Sequence, residues 1–111
     1  MSAKNFKIKA VDLVELVPPM GGCLATDKIT IDGMTVGYMY RETPNHELDS
    51  GWRFFSGTED QDYIDDLTNT LVYSINTIAN YDPAIIAYLD LPFGTELERI
   101  ENSNQFDIIP G

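Results

Sequence analysis

Apolar and polar positions alternate in several short runs along this chain. Phe6-Lys7-Ile8-Lys9-Ala10 alternates apolar and basic residues, as a half-buried strand does. Val11–Val17 fits either a strand or a helix, and Pro18-Pro19 and Gly21-Gly22 then break the chain. Cys23-Leu24-Ala25-Thr26 reads as a short strand. The sharpest signal follows. Ile29 and Ile31 precede Asp32-Gly33, and Met34, Val36, Tyr38 and Tyr40 come after it. Asp-Gly between alternating runs predicts a two-residue β-hairpin turn at 32–33. In that register Ile31 faces Met34, Ile29 faces Val36, and Tyr38 and Tyr40 continue the same sheet face. Gly37 leaves a gap on the opposite face with room for a large side chain.

Further along, Trp52-Arg53-Phe54-Phe55 predicts a strand with Trp52 and Phe54 on one face and Arg53 and Phe55 on the other. Thr58-x-x-Gln61 matches a capping box, which predicts a short helix from about Glu59 to Asp65 with Thr58 as N-cap. Leu71–Ile75 fits a buried strand or a helix start, its β-branched and aromatic content leaning to strand. Asn76–Tyr81 follows as a helical turn or two, with Asn76 and Asn80 read as turn and cap residues. Asp82-Pro83 is a helix start that leads into Ile85, Ile86 and Leu89. "TELERI" reads as the final strand, and residues 101–111 as a loose tail. The sum is an α+β domain: an antiparallel sheet of about four to six strands, with short helices packed on one face.

Length and composition narrow this picture. A chain of 111 residues makes one domain with a real core and no room for a second. Hydrophobic residues at 43% place it among ordered chains. The N-terminal stretch has lysines but no long apolar core, so it does not read as a secretory signal. No apolar run approaches the roughly 20 residues that span a bilayer. Cys23 stands alone, which fits a reducing compartment, and the expected location is the cytoplasm.

Charge changes the picture more. The formal net charge is −11. Such a surface repels nucleic acid and anionic lipid and attracts basic proteins or cationic ligands, although it also serves solubility alone. The acids concentrate: eight lie between Glu42 and Asp66 with the single base Arg53 among them, while the first ten residues hold Lys4, Lys7 and Lys9 and no acid. Glu59 and Asp60 fall where a helix start favours negative charge; Asp62, Asp65 and Asp66 have no such explanation, and either they are simply well solvated or something outside the helix favours them, a partner being the candidate. The candidate partner-binding residues are Asp49, Trp52, Arg53, Glu59, Asp60, Asp62, Asp65 and Asp66. Trp52 also reads as core, and Arg53 as a structural ion pair with Glu42 or Asp49.

Catalytic constellations are sparse. One histidine, His46, and one cysteine do not make a zinc site of the usual kinds. Asp60-x-Asp62-x-x-Asp65 lacks the central glycine and final glutamate of an EF-hand, which leaves calcium at a carboxylate cluster as an open alternative. No phosphate-binding loop or dinucleotide fingerprint is present, and no cofactor is implied. A His46–Cys23 nucleophile pair is conceivable, but Cys23 in "GGCLAT" reads as a small core residue. Paired carboxylates do acid–base work in glycosidases, and Asp49, Glu59 and Asp60 flank an aromatic strand whose Trp52 suits sugar stacking, yet so short a chain hardly forms the cleft that chemistry needs.

Four stretches, "CLATDKITIDGMTVGYMYRE", "DSGWRFFSGTEDQDYIDD", "NTIANYDPAIIAYL" and "PFGTELER", carry a resemblance. From about Cys23 to Arg99 the chain resembles a family of small bacterial domains, catalogued as of unknown function and then grouped as the immunity protein 33 family of polymorphic toxin systems. The resemblance implies a toxin as protein partner and no catalytic residues. Two other readings stand beside it: a housekeeping module binding a host protein or small ligand, and a small carboxylate-dependent hydrolase. Oligomeric state is left open.

Overall fold

A computed structural model describes residues 4–110. Its longest strand is β3 (Asp49–Phe55), in which Ser50 to Phe54 are all buried. Burial on both faces marks a central strand. β1 (Gly22–Thr26) pairs with it in parallel, and β2 (Tyr38–Arg41) pairs antiparallel on its other side. β4 (Thr70–Ser74), β5 (Glu96–Arg99) and β6 (Phe106–Ile108) complete a six-stranded sheet in the order β4-β1-β3-β2-β5-β6. The α+β class holds, with a mixed sheet in place of an antiparallel one.

The parallel pair has a specific cause. The stretch expected as a hairpin instead holds a short helix, α1 (Asp27–Thr30). Gly33 does take a positive φ, +75°, but it ends the helix: its N–H donates to Ile29 O at 3.1 Å, and Met34 N–H donates to Lys28 O at 2.9 Å. The chain then crosses the sheet before β2 begins, and the β2–β3 hairpin sets β3 parallel to β1. The expected Ile31–Met34 and Ile29–Val36 pairs do not form; Ile29 and Val36 are both fully buried in the core. At Gly37 the backbone just past β3 takes the space expected for a side chain, since a Cβ there would lie 2.1 Å from Ser56 O.

A helical layer covers one face, as expected, although the helix at Gln61–Asp65 stands apart from it and reaches the other face through Ile64. Ser74 caps α3 (Ile75–Tyr81), which settles Leu71–Ile75 as strand up to Ser74 and helix from Ile75. Asp82 then caps a 3-10 helix over Pro83–Tyr88. Ile75, Ile78, Ile85 and Leu89 from this layer meet Trp52, Phe54, Met39 and Leu97 from the sheet. Each such side chain contributes roughly 1.5–3 kcal/mol by burial. Buried Asp82 ties the layers together: its carboxylate also accepts from Val36 N–H and pairs with Arg99 on β5.

Both ends differ from expectation. Phe6–Ala10 is not a strand. Lys7 N–H donates to Thr30 O, Ile8 N–H donates to the Tyr81 hydroxyl, and a 3-10 turn follows at Ala10–Asp12. The segment expected as a loose tail contains β6, which pairs antiparallel with β5 and buries Phe106.

Candidate functional site

The eight residues singled out by sequence do not form one site. Trp52 is fully buried, and its indole N–H donates to Leu89 O at 3.0 Å, so it is core and not an anchor. Arg53 is buried beneath two carboxylates: it forks onto Asp49 at 2.9 and 2.7 Å and reaches Glu42 at 2.6 Å. That pairing holds the Asp49 carboxyl well below the usual range.

The acidic segment is largely occupied by local structure. The capping box does not form. Glu59 turns back, accepting from the N–H groups of Ser56 and Gly57 and from the Thr26 hydroxyl. Burial opposes its ionised form, but these hydrogen bonds outweigh it and hold the carboxyl low. With Glu59 closing the 56–59 turn, the helix starts later: Asp60 is the N-cap of α2 (Gln61–Asp65), accepting from Tyr63 N–H at 2.8 Å. Asp66 caps the next 3-10 turn, Leu67–Asn69, through Thr68, so it too has an explanation in the fold. Asp65 accepts from Gln61 Nε2. Asp62 is exposed, with no hydrogen-bond partner among the described residues.

A different surface gathers aromatic and acidic chemistry. Opposite the helical layer, an open groove of about 700 Å³ runs across β3, β2 and β5. Its floor is Tyr38, Tyr40 and Phe55, with Tyr40 and Phe55 nearly parallel at 9° and 5.8 Å between centroids, and Tyr38 lies 5.7 Å from Phe55. Strand register builds this floor, since Tyr38 pairs with Phe55, and residues directly opposite share a face. The same rule places Glu96 beside Tyr40 and Glu98 beside Tyr38. Glu59 and Ile64 stand on the other wall, so α2 borders the groove.

Polarity in the groove is one-sided. Three carboxylates line it and no lysine or arginine does. The Tyr38 hydroxyl donates to Glu96, and burial together with that carboxylate pushes its phenol up. Burial and the nearby Glu42 charge raise Tyr40 as well. Both phenols therefore stay neutral, as aromatic surface and hydrogen-bond donors. Glu98 is exposed and has no hydrogen-bond partner among the described residues. The arrangement presents aromatic faces and accepting oxygens, which is the chemistry that holds a cation.

Elsewhere the chemistry is quieter. Cys23 and His46 line one small hollow, but burial pushes the Cys23 thiol up and keeps it protonated, and His46 Nδ1 accepts from Leu48 N–H. Among the described residues, no group of three or more His, Cys, Asp or Glu side chains is placed to hold a metal ion. No described helix is long and apolar enough to cross a membrane.

Sequence reasoning had Tyr38, Tyr40 and the alternation of "TELERI" in hand, but not their meeting. Tyr38-x-Tyr40 and Glu96-x-Glu98 become one surface only once β2 and β5 are known to be neighbours in register.

No curated protein and no solved structure matches this chain. The model of the Immunity protein Imm33 domain family matches residues 23–109, a span that contains every residue of the groove and all six strands except the first residue of β1. The chain belongs to the immunity protein Imm33 family.

Proposed function

We propose that this chain is an immunity-type protein that binds a basic toxin domain and neutralises it by occupying its surface, with no turnover of its own. The carboxylate-walled aromatic groove carries the reading. It is a concave surface with a desolvatable centre, the form a protein-binding hot spot takes. The net charge of −11 supplies the long-range part, since such a field speeds encounter with a basic partner. The whole 111-residue chain acts as one domain in this reading, in the cytoplasm where Cys23 stays reduced.

The test has two stages. Proteins of the source cells that bind the immobilised chain are identified, and each is then expressed alone and together with it. The expected result is a basic protein that arrests growth alone and is harmless when co-expressed. Captured proteins that are harmless alone, or toxic regardless of the chain, would overturn the immunity role.

A further inference from the structure

The chain satisfies most of its own cations, and the pattern shows which aromatic surface is left over. Lys28 lies over Tyr63, Arg41 over Trp52 and Phe93, and Arg99 over Phe106, at 4.7–5.7 Å. Lys4 pairs with Asp27, and Arg53 is closed off by Asp49 and Glu42. Among the described residues no lysine or arginine lies over the rings of Tyr38, Tyr40 or Phe55: Arg53 stands opposite Tyr40 across the strands, but its guanidinium is held by Asp49 and Glu42. Glu59 is consumed by its local hydrogen bonds. Glu96 accepts the Tyr38 hydroxyl through one oxygen only, and Glu98 is free.

From this we infer that the groove receives a cationic side chain of the protein partner, an arginine above all, laid on Tyr40 and Tyr38 with its guanidinium held by Glu98 and Glu96. Arginine fits better than lysine because its planar group stacks on aromatic faces and forks onto carboxylates. Glu96 and Glu98 are alternate residues of one strand on one face, so they offer two acceptors to one flat donor. This assignment rests on the protein-binding reading above and names the chemistry that the partner must present.

The probes are hexaarginine, hexalysine and the neutral hexacitrulline peptide, titrated into the full chain at low and physiological salt and followed by NMR. Hexaarginine is expected to shift the ring resonances of Tyr38 and Tyr40, with hexalysine weaker and hexacitrulline silent. Glu98→Gln is expected to weaken hexaarginine about ten-fold, whereas Asp62→Asn, which removes the same charge elsewhere, weakens it less than about two-fold. The Glu98 side chain is exposed and bonds nothing among the described residues, so its variant keeps the fold; Tyr40→Leu, which keeps apolar bulk, tests the aromatic share. Equal losses from Glu98→Gln and Asp62→Asn would show attraction by the bulk field and overturn the site, as would unshifted tyrosine rings. A captured toxin that binds wild type and Glu98→Gln equally overturns the groove and leaves the immunity role standing. Hexaarginine seated on the tyrosines with no toxin captured supports the groove and removes that role.

Discussion

Asp49 and Arg53 lie four residues apart on one strand and still meet in a two-pronged ion pair, at 2.9 and 2.7 Å. A regular strand would hold them roughly 13 Å apart. β3 closes the distance by bulging. Opposite β1, Gly22 pairs with Asp49 and Leu24 with Arg53, so two steps on β1 face four on β3. Gly51 sits inside the bulge at φ +90°, where a Cβ would lie 2.2 Å from Glu42 O. The bulge and the ion pair are one device: the backbone brings the carboxylate to the guanidinium, and Gly51 N–H donates to Asp49 as well.

The pair predicts a pH dependence. The carboxyl of folded Asp49 titrates below its unfolded value, because Arg53 favours the ionised form. Its stabilisation is therefore complete above the unfolded Asp range near pH ~4 and is lost as pH falls through the folded value. Glu59 has the same sign. Thermal melting between neutral and strongly acid pH should show Tm falling below about pH 4, and Asp49→Asn should flatten that slope. At neutral pH Asp49→Asn should cost roughly 3 kcal/mol, the low end for breaking a buried pair, since Glu42 still faces Arg53. An unchanged acid slope in the variant would show that other groups govern it.

Gly51→Ala tests the bulge itself. The left-handed φ and the clash with Glu42 O act together, and the cost should be at least about 2 kcal/mol in denaturant unfolding. Gly94→Ala is the comparison. Gly94 has a similar φ, +94°, but nothing lies within 4 Å of its added Cβ, so only the conformational part remains. Equal losses at the two positions would mean that the packing at Gly51 contributes nothing.

How much of this was legible in the sequence depends on the range of the forces involved. Strands β1 and β5, the Trp52–Phe55 part of β3, the Asp82-Pro83 start and the Arg53 ion pair follow from local pattern and charge, and the sequence reading has them, whereas the bulged start of β3 at 49–51 lies in a stretch that reads as loop. Asp32-Gly33 misleads because a left-handed glycine ends a helix as readily as it turns a hairpin. The choice is made by Ile29, which is buried completely from α1. Trp52 was readable as core or anchor, and only the position of Leu89 decides. The groove was illegible because it needs the β2–β5 pairing, which joins residues 38–40 to residues 96–98.

Asn76 and Asn80 predict the behaviour of the segment before β1. The Asn76 side chain accepts from Leu16 and Val17 N–H and donates to Val14 O; Asn80 accepts from Val14 N–H and donates to the same carbonyl. Asn76→Ala and Asn80→Ala should release this strap while the sheet stays folded. Amide exchange at Val14, Leu16 and Val17 should rise at least about ten-fold, with each lost bond worth about 1 kcal/mol and opening confined to the segment. Protection that persists in the double variant would assign the strap's hold to Val17 and Tyr81 instead.

The acids of α2 separate into those that serve the fold and those free to act outward. Asp60 and Asp66 cap, so Asp60→Ala should cost about 0.5–2 kcal/mol, while Asp66→Ala lowers Tm and Asp66→Asn, an equally good cap, does not. Among the described residues Asp62 and Asp65 hold no backbone group, although Asp65 accepts from Gln61 four residues earlier. Changing both to Asn should alter stability by no more than about 0.5 kcal/mol each. Their remaining effect is on the field beside the groove, which α2 borders through Ile64. With a basic partner, the double variant should associate more slowly and with a flatter salt dependence, its dissociation rate hardly changed. Glu98→Gln should do the reverse, speeding dissociation more than it slows encounter, because its carboxylate is in contact at the end point. Stopped-flow association at several salt concentrations separates the two. If Asp62 and Asp65 changed dissociation as strongly as Glu98, the contact surface would extend over α2 itself; if neither pair changed either rate, the binding face would lie elsewhere on the molecule.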